Sequence, residues 1–293
     1  INRRSVRKID LVVDCRCSLH DFYTAFPLKP LLHDLHVEET QKTTPETEAQ
    51  GRRGFGFIGK SGVVQAEALE GIDSALIRAG YDLTLYRLST DRDLRRRAFD
   101  YFLVRKRVDA VIAVTIALSP HEVEMLQALG KPLVAIGGRV AGIPSLSIDD
   151  VETSRLATEH LISLGHERII HVGGDQDEQM DFRVHSQRYS GFQRAMAEAG
   201  LGEGDDFREA EFSISGGYAA GLAVLGDPRT RPTAIFAGCD EIAVGIMMAA
   251  RQLGIGVPHD LSIIGIDDHP LAETLGITTL AQRPGAQGGR AVE

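Results

Sequence analysis

The stretch "PTAIFAGCDEIAVGIMMAARQLGIGVPHDLSIIGIDD", residues 232–268, decides the fold. It opens with a short apolar run (233–238), continues through a helix-length amphipathic segment (239–253) and closes with a second apolar run (261–267). Runs of this length, rich in β-branched residues, are typical of buried strands. The pattern predicts a strand-helix-strand unit, whose two strands lie parallel in one sheet.

The same alternation extends outward to cover residues 54–282. Strands are predicted over 54–58, 81–88, 108–115, 131–138, 144–149, 168–174, 210–214, 233–238, 261–267 and 277–282. Helices are predicted over about 62–79, 91–106, 119–129, 151–164, 184–200, 216–225 and 239–253. The helix at 119–129 has the clearest start, because "SPHE" (119–122) forms a capping box with Pro120 at the first helical position.

The rhythm restarts after Gly165-His166, which divides it into two sets of similar size. We therefore expect an α/β protein with two similar lobes, each a parallel sheet flanked by helices, and a cleft between them. The expected bounds are 54–166 for the N-terminal lobe, 167–276 for the C-terminal lobe, and 277–293 for a strand and helix start that return to the first lobe. Residues 1–53 lack a clear period and end in a linker-like polar tract, although "KIDLVVD" (8–14) could be a strand.

Composition narrows the class of protein. The chain has 293 residues, is 43% hydrophobic and 25% charged, and carries a net charge of −9, so it lacks the basic footprint of a nucleic-acid-binding surface. No apolar run approaches the roughly 18 residues that cross a membrane. No secretory signal pattern is evident at the N-terminus. The three cysteines are too few and too oddly numbered for a disulfide framework. We expect a cytoplasmic protein.

One motif suggests a different function. "GFGFIGKSG" (54–62) satisfies the P-loop pattern G-x-x-x-x-G-K-[ST], with Lys60 and Ser61 in the places that serve phosphate and Mg²⁺. A P-loop needs a buried strand before its first glycine, whereas Gly54 follows the polar "TEAQGRR". The apolar residues lie inside the motif, so its register is wrong for a phosphate cradle, and a P-loop NTPase is a minor alternative.

Several segments in order resemble the effector-binding region of the lactose/galactose-repressor (LacI/GalR) family of bacterial transcription regulators. They are "AEALEGIDSALIRAGYDLTLY" (66–86), "DDVETSRLATEHLISLGHERIIHVGG" (149–174), "RYSGFQRAMAEAGL" (188–201), "ISGGYAAGLAVL" (214–225), the stretch 232–268 and "TTLAQ" (278–282). The resemblance implies the type I periplasmic-binding-protein fold, with "GFGFIGKSG" as the first strand and a loop that borders the cleft.

The chain departs from the family pattern in three ways. Residues 1–53 show no helix-turn-helix, which puts DNA binding by this chain in doubt. The chain stops at Glu293, before the last strand that the family places in the C-terminal lobe. Gly59 and Gly62 stand where the family more often has Asp and Asn, which leaves the effector open.

Two charged residues are the leading candidates for effector binding. Asp267 follows the strand "LSIIGI", so its carboxylate should point into the cleft and accept from two hydroxyls. Arg188 matches the family's ligand-contacting arginine, whose planar fork suits hydroxyls or a carboxylate. The competing interpretations are a turn cap for Asp267 and a solvated helix residue for Arg188.

The remaining candidates are weaker. By the resemblance, Phe212 is an aromatic floor that stacks on the effector, or else plain core. Cys239 stands where the family often has Asn, and it could be a weak polar contact or a small core residue. Gln282 could reach the cleft from the crossing strand, and Ser61 and Gly62 are plausible backbone contacts.

The expected function is that of a homodimeric LacI/GalR-type regulator. A small-molecule effector, by default a sugar, would bind in the cleft and control operator DNA binding allosterically, through a helix-turn-helix not evident in this chain. Nucleosides and sugar phosphates are further effector classes, and a transport-associated sugar-binding protein is the main alternative. No catalytic residue, cofactor, metal or membrane contact is predicted: no nucleophile occupies a G-x-S-x-G elbow, and His166 and His171 suit structural roles better than catalytic ones.

Overall fold

The structure, a computed structural model, describes residues 7–14, 63–88, 92–105, 108–176, 183–202 and 206–293. The predicted strand 54–58, the P-loop match and the two candidates Ser61 and Gly62 lie outside these residues.

The first lobe contains a five-stranded parallel sheet in the order β2-β1-β3-β4-β5. Its strands are β1 (Arg7–Asp14), β2 (Tyr81–Leu88), β3 (Ala110–Val114), β4 (Leu133–Ile136) and β5 (Ser145–Leu146). The helices are α1 (Val63–Ala79), α2 (Arg92–Arg105) and α3 (Pro120–Gln127). The possible strand at "KIDLVVD" is thus confirmed, and it pairs between β2 and β3, ahead of residue 54 where the sequence led us to begin the lobe.

The second lobe also contains a five-stranded parallel sheet, in the order β10-β9-β8-β6-β7. Its strands are β6 (Ile169–Gly173), β7 (Phe207–Glu209), β8 (Ala234–Ala237), β9 (Ser262–Asp267) and β10 (Thr278–Ala281). The helices are α4 (Asp150–Ser163), α5 (Val184–Glu198), α6 (Ile214–Leu225), α7 (Asp240–Gln252) and α8 (Pro270–Leu275).

Each sheet is packed on both faces, which explains the continuous apolar runs of its strands. In the second lobe, Ile235 and Ala237 join the apolar cluster of α6 and α7, whereas Ala234 and Phe236 join that of α4 and α5. The alternation along β8 therefore separates two helical layers, as a doubly wound sheet requires. The two-lobed α/β class predicted from the sequence is confirmed.

One predicted strand is wrong in place. Strand β7 covers Phe207–Glu209 rather than 210–214, and Ile214 already lies in a helix. The reason is a helix cap, because the Ser213 side chain accepts a hydrogen bond from the Gly216 amide and so ends the extended segment. The predicted capping box at Ser119 and Glu122 is present with both of its hydrogen bonds.

The chain returns to the first lobe at its C-terminal end. Helix α9 (Pro284–Arg290) packs against α1, and the approach is close enough that a Cβ on Gly288 would lie 2.0 Å from the carbonyl oxygen of Ala68. A Cβ on Gly71 would in turn lie 2.0 Å from the carbonyl oxygen of Gly285. Glycine at these positions permits the contact that ties the crossover to the N-terminal lobe.

Candidate functional site

Two of the predicted site residues, Asp267 and Gln282, meet at the carboxyl end of β9. Asp267 is the last residue of that strand and pairs in register with Ala281 of β10, which places Gln282 next to it. The Gln282 side-chain amide donates a hydrogen bond to Asp267 Oδ1. Parallel α/β sheets present their ligand sites at this edge, so the topology brings both residues to the expected place.

The carboxyl group of Asp267 titrates near neutrality. Burial raises the pKa of Asp267 to about 7, and the nearby charges of Asp240 and Glu241 add to that rise. Arg188 and the hydrogen bond from Gln282 act in the opposite direction and lower this pKa. Burial is the largest of these influences. The carboxyl group of the half-buried Asp267 therefore changes its protonation state near pH 7.

Arg188 is buried on α5 and is tethered to two other elements. Its Nε donates to Asp150 Oδ1 at 2.8 Å, and its Nη1 donates to the carbonyl oxygen of Gly238. Burial acts to lower the pKa of Arg188, but the charges of Asp150 and Asp267 outweigh it and raise that pKa. Arg188 is therefore a fixed cation that interacts electrostatically with Asp267. Its burial shows that the interpretation of Arg188 as a solvated surface residue is wrong.

Phe212 lies beside Gly238, the residue whose carbonyl oxygen accepts from Arg188. Its ring centroid is 4.3 Å from that of His185, and a Cβ on Gly238 would lie 3.2 Å from Phe212 Cζ. The ring is partly buried and packs against the core of the second lobe. A flat apolar surface at this place is compatible with an aromatic floor, and that role stays a prediction.

Cys239 precedes the first residue of α7 and is buried. Its side chain makes no capping hydrogen bond to the helix. Burial raises the pKa of the Cys239 thiol well above its ordinary value, and the carboxylates of Asp267 and Glu241 act in the same direction. The thiol is therefore protonated at neutral pH and can offer only a weak polar contact.

Asp240 is a member of the site that sequence reasoning missed. It is fully buried at the start of α7, and its Oδ2 accepts from the His269 amide at 2.9 Å and from Thr279 Oγ1 at 2.8 Å. Burial raises the pKa of Asp240, while these two hydrogen bonds oppose the shift. The sequence signal was the acid that follows "FAGC", directly after a strand.

Asp150 was missed as well, because only folding brings the start of α4 next to α5. On the first lobe, Thr115 follows β3 in a left-handed conformation with φ of 47°, and its buried Oγ1 has no hydrogen-bond partner in the part of the chain that the structure describes. A β-branched residue rarely adopts that conformation. Thr115 packs against Gly137, where a Cβ would lie 2.8 Å from Thr115 Cγ2.

Two negative observations concern the described residues alone. No helix among them is long and apolar enough to span a membrane. Within the same residues, no three His, Cys, Asp or Glu side chains group as a metal site would require. The adjacent Asp267, Asp268 and His269 do not form one, because His269 Nδ1 instead accepts from the Leu271 amide and caps α8.

Known proteins resemble this chain over the second lobe and beyond. Residues 158–293 match the model of the periplasmic binding protein-like domain. The chain is 32% identical over 238 residues to a transcriptional repressor named PurR from Vibrio parahaemolyticus. This alignment covers 78% of this chain and 68% of the repressor. It is 30% identical over 215 residues to the catabolite control protein A of Priestia megaterium, covering 72% of this chain and 63% of that protein.

Among solved structures, a regulatory protein of the LacI family from Chloroflexus aggregans superimposes with a TM-score of 0.69. The two are 26% identical, over 83% of this chain and 85% of the other. The identity to curated repressors, the fold and the order of the matching segments agree with one another. The chain belongs to the LacI/GalR family of transcriptional regulators.

Proposed function

We propose that this chain is the effector-binding region of a transcriptional repressor, and that it binds a small neutral molecule rich in hydroxyl groups in the cleft between its lobes. The observation that carries the proposal is the cluster of Asp267, Gln282 and Arg188 at the carboxyl end of the second sheet. Carboxylate, amide and guanidinium groups together offer both acceptors and donors in fixed directions, which is what a sugar requires.

The charges of the cluster favour a neutral effector over a phosphorylated one. The positive charge of Arg188 is already matched by Asp150 at 2.8 Å, and Asp240 and Glu241 add negative charge near Asp267. An anion would meet repulsion from these carboxylates, and the attraction that Arg188 could offer is already offset by its pairing with Asp150. Sugars therefore rank ahead of sugar phosphates, and nucleosides stand between them.

The path of the chain supports an allosteric role. The chain crosses from β5 to α4 and crosses back from β10 to α9, which packs against α1. An effector that binds both lobes would favour their closed arrangement by its difference in affinity for the two arrangements. In a homodimer, such closure would alter the spacing of DNA-binding heads carried by the whole protein.

The chain spans only about two thirds of the length of these curated relatives, 63% of one and 68% of the other. Operator binding therefore belongs to our proposal for the whole regulator, which would act in the cytoplasm through a helix-turn-helix not evident in this chain. We also propose that the chain is not an enzyme. The regulators that it resembles lend no support to the alternative of a transport-associated sugar-binding protein.

The test is a thermal-shift screen of the chain against neutral sugars, sugar phosphates, nucleosides and Mg²⁺-ATP. A ligand at about 100 times its dissociation constant should add roughly 2.7 kcal/mol to the free energy of unfolding. We expect a neutral sugar to stabilise the chain, and expect that effect to vanish in Asp267→Asn but to persist in the neighbouring Asp268→Asn. Stabilisation by Mg²⁺-ATP alone, unchanged in Asp267→Asn, would overturn the proposal.

A further inference from the structure

The turn that carries Asp267 has an unfavourable backbone. Asp267 has φ of 137° and Asp268 has φ of 64°, so two consecutive residues with side chains occupy conformations that favour glycine. Strain of this kind persists only where the surrounding structure over-determines it, and it concentrates at functional sites. The question is which groups hold this turn.

Three hydrogen bonds hold it, and all of them lead to one carboxylate. The Asp268 amide donates to Thr279 Oγ1 at 3.2 Å, and the same hydroxyl donates to Asp240 Oδ2 at 2.8 Å. The His269 amide donates directly to Asp240 Oδ2 at 2.9 Å. Both backbone amides that follow Asp267 are therefore tied, directly or through Thr279, to Asp240.

The burial of Asp240 in this place is unfavourable in free energy. The side chain is fully buried, and its second oxygen, Oδ1, has no hydrogen-bond partner among the described residues. That oxygen packs against Gly265 of β9, where a Cβ would lie 2.0 Å away. A buried, half-satisfied carboxylate is expensive and requires an explanation, and capping α7 would not require burial of this kind.

We propose that Asp240 is a positioning residue of the effector site, which acts through Thr279 and the backbone of residues 268–269 to hold the strained turn and present the Asp267 carboxylate. The inference rests on the proposed function in one respect, namely that Asp267 is the group that accepts the effector's hydroxyls. It assigns no direct contact with the effector to Asp240 or Thr279.

The protonation of Asp267 reports its placement without any ligand. The charged groups that face it are Arg188 on α5 and Asp240 and Glu241 on α7, and burial is the largest influence on its pKa. If the turn relaxes, Asp267 moves toward solvent, and its pKa falls from about 7 toward the ordinary value of about 3.9. A group that only stabilises the fold would leave this pKa unchanged.

The experiment is a ¹³C NMR titration of the Asp267 carboxyl carbon in the full chain, with hydrogen exchange of the Asp268 amide and urea unfolding measured in parallel. Thr279→Val removes the hydroxyl at nearly constant shape, and Thr279→Ser restores it. Thr278→Val is the matched control, because Thr278 is exposed on the same strand. We expect Thr279→Val to lower the Asp267 pKa by more than about one unit and to abolish protection of the Asp268 amide. Thr279→Ser and Thr278→Val should match the wild type.

An Asp267 pKa that stays near the wild-type value in Thr279→Val, with only the unfolding midpoint lowered, would overturn the inference. If Thr279→Val does not fold, Thr279→Ala is titrated in its place under the same criterion. Binding of D-glucose and D-galactose is measured on the same samples by calorimetry. If the wild type binds neither of these sugars nor any sugar in the thermal-shift screen, the proposed function is wrong. The titration tests the positioning role independently of that result.

Discussion

Arg188 Nε lies 2.8 Å from Asp150 Oδ1, and this ion pair is buried, with side chains that are 5% and 8% exposed. It joins the first turn of α4, where the chain has just left the N-terminal lobe, to the second turn of α5. Because Arg188 also donates to the carbonyl of Gly238, the pair fixes the guanidinium beside Asp267. The position of Arg188 at the carboxyl end of the second sheet thus depends on Asp150, which is distant in sequence.

Replacement of Asp150 by Ala should be strongly destabilising. The variant leaves a buried guanidinium without its counter-ion, and breaking such a pair typically costs about 3–5 kcal/mol of unfolding free energy. Urea unfolding at neutral pH measures the loss. Glu152→Ala is the control on the same helix, because Glu152 pairs with Arg155 near the surface and should matter little. Equal losses in the two variants would contradict a special role for the buried pair.

Asp267→Asn should change how stability depends on pH. Because the folded pKa of about 7 exceeds the ordinary value of about 3.9, the folded state retains a proton that the unfolded state releases in that window. The wild type therefore loses stability as the pH rises from about 4 to about 7, with no further loss from this group above that range.

The asparagine variant cannot make this proton exchange, so its unfolding free energy relative to wild type should increase across the same window. Urea midpoints at about pH 5 and about pH 8 test it, with Asp268→Asn as the exposed control. A constant difference between Asp267→Asn and wild type at both pH values would refute the raised pKa. Binding of a sugar that donates hydroxyls to the ionised carboxylate should strengthen over the range in which stability declines.

The sequence predicted the alternation of elements well, because periodicity is local. Tyr81–Leu88 forms the predicted strand residue for residue, and Val63–Ala79 differs from the predicted helix by one residue at its start. The strand at 210–214 was misplaced because the Ser213 cap overrides the β-propensity of "AEFSI". Local pattern also could not show that Arg7–Asp14 pairs between β2 and β3, since that depends on long-range pairing.

The site was predictable to the extent that it follows from topology. Asp267 and Gln282 meet because each ends a neighbouring parallel strand. Asp150 and Asp240 were out of reach, because their partners Arg188 and Thr279 lie 38 and 39 residues away, respectively. Buried acids of this kind look in sequence like ordinary helix N-terminal residues, which favour acids for local reasons alone.

His171→Phe should reduce the sensitivity of the fold to acid. His171 is fully buried against Phe236, with ring centroids 4.5 Å apart, and burial lowers its pKa to about 3. Between about pH 6.5 and the folded pKa, the unfolded chain binds a proton that the folded chain refuses, so stability falls as the pH falls.

The phenylalanine variant removes that proton uptake at the cost of the hydrogen bond from the ring to the Phe236 carbonyl. The quantity to measure is the slope of unfolding free energy against pH between about 4 and about 6.5. Asp267 contributes a slope of opposite sign in this range, so both proteins should carry Asp267→Asn. An undiminished acid slope in the His171→Phe background would mean that another group is responsible.

The close contact between α1 and α9 should stabilise the return of the chain to the first lobe. Gly288→Ala would place a Cβ 2.0 Å from the Ala68 carbonyl oxygen, a backbone atom that cannot swing aside. Forcing these helices apart should cost about 1–3 kcal/mol, measured by urea unfolding. Gly289→Ala is the matched control, since its Cβ would meet nothing nearer than 3.8 Å and alanine is the better helix former by about 0.5–1 kcal/mol. The two substitutions should therefore shift the unfolding midpoint in opposite directions, and a neutral Gly288→Ala would show that α9 can dock on α1 without this close approach.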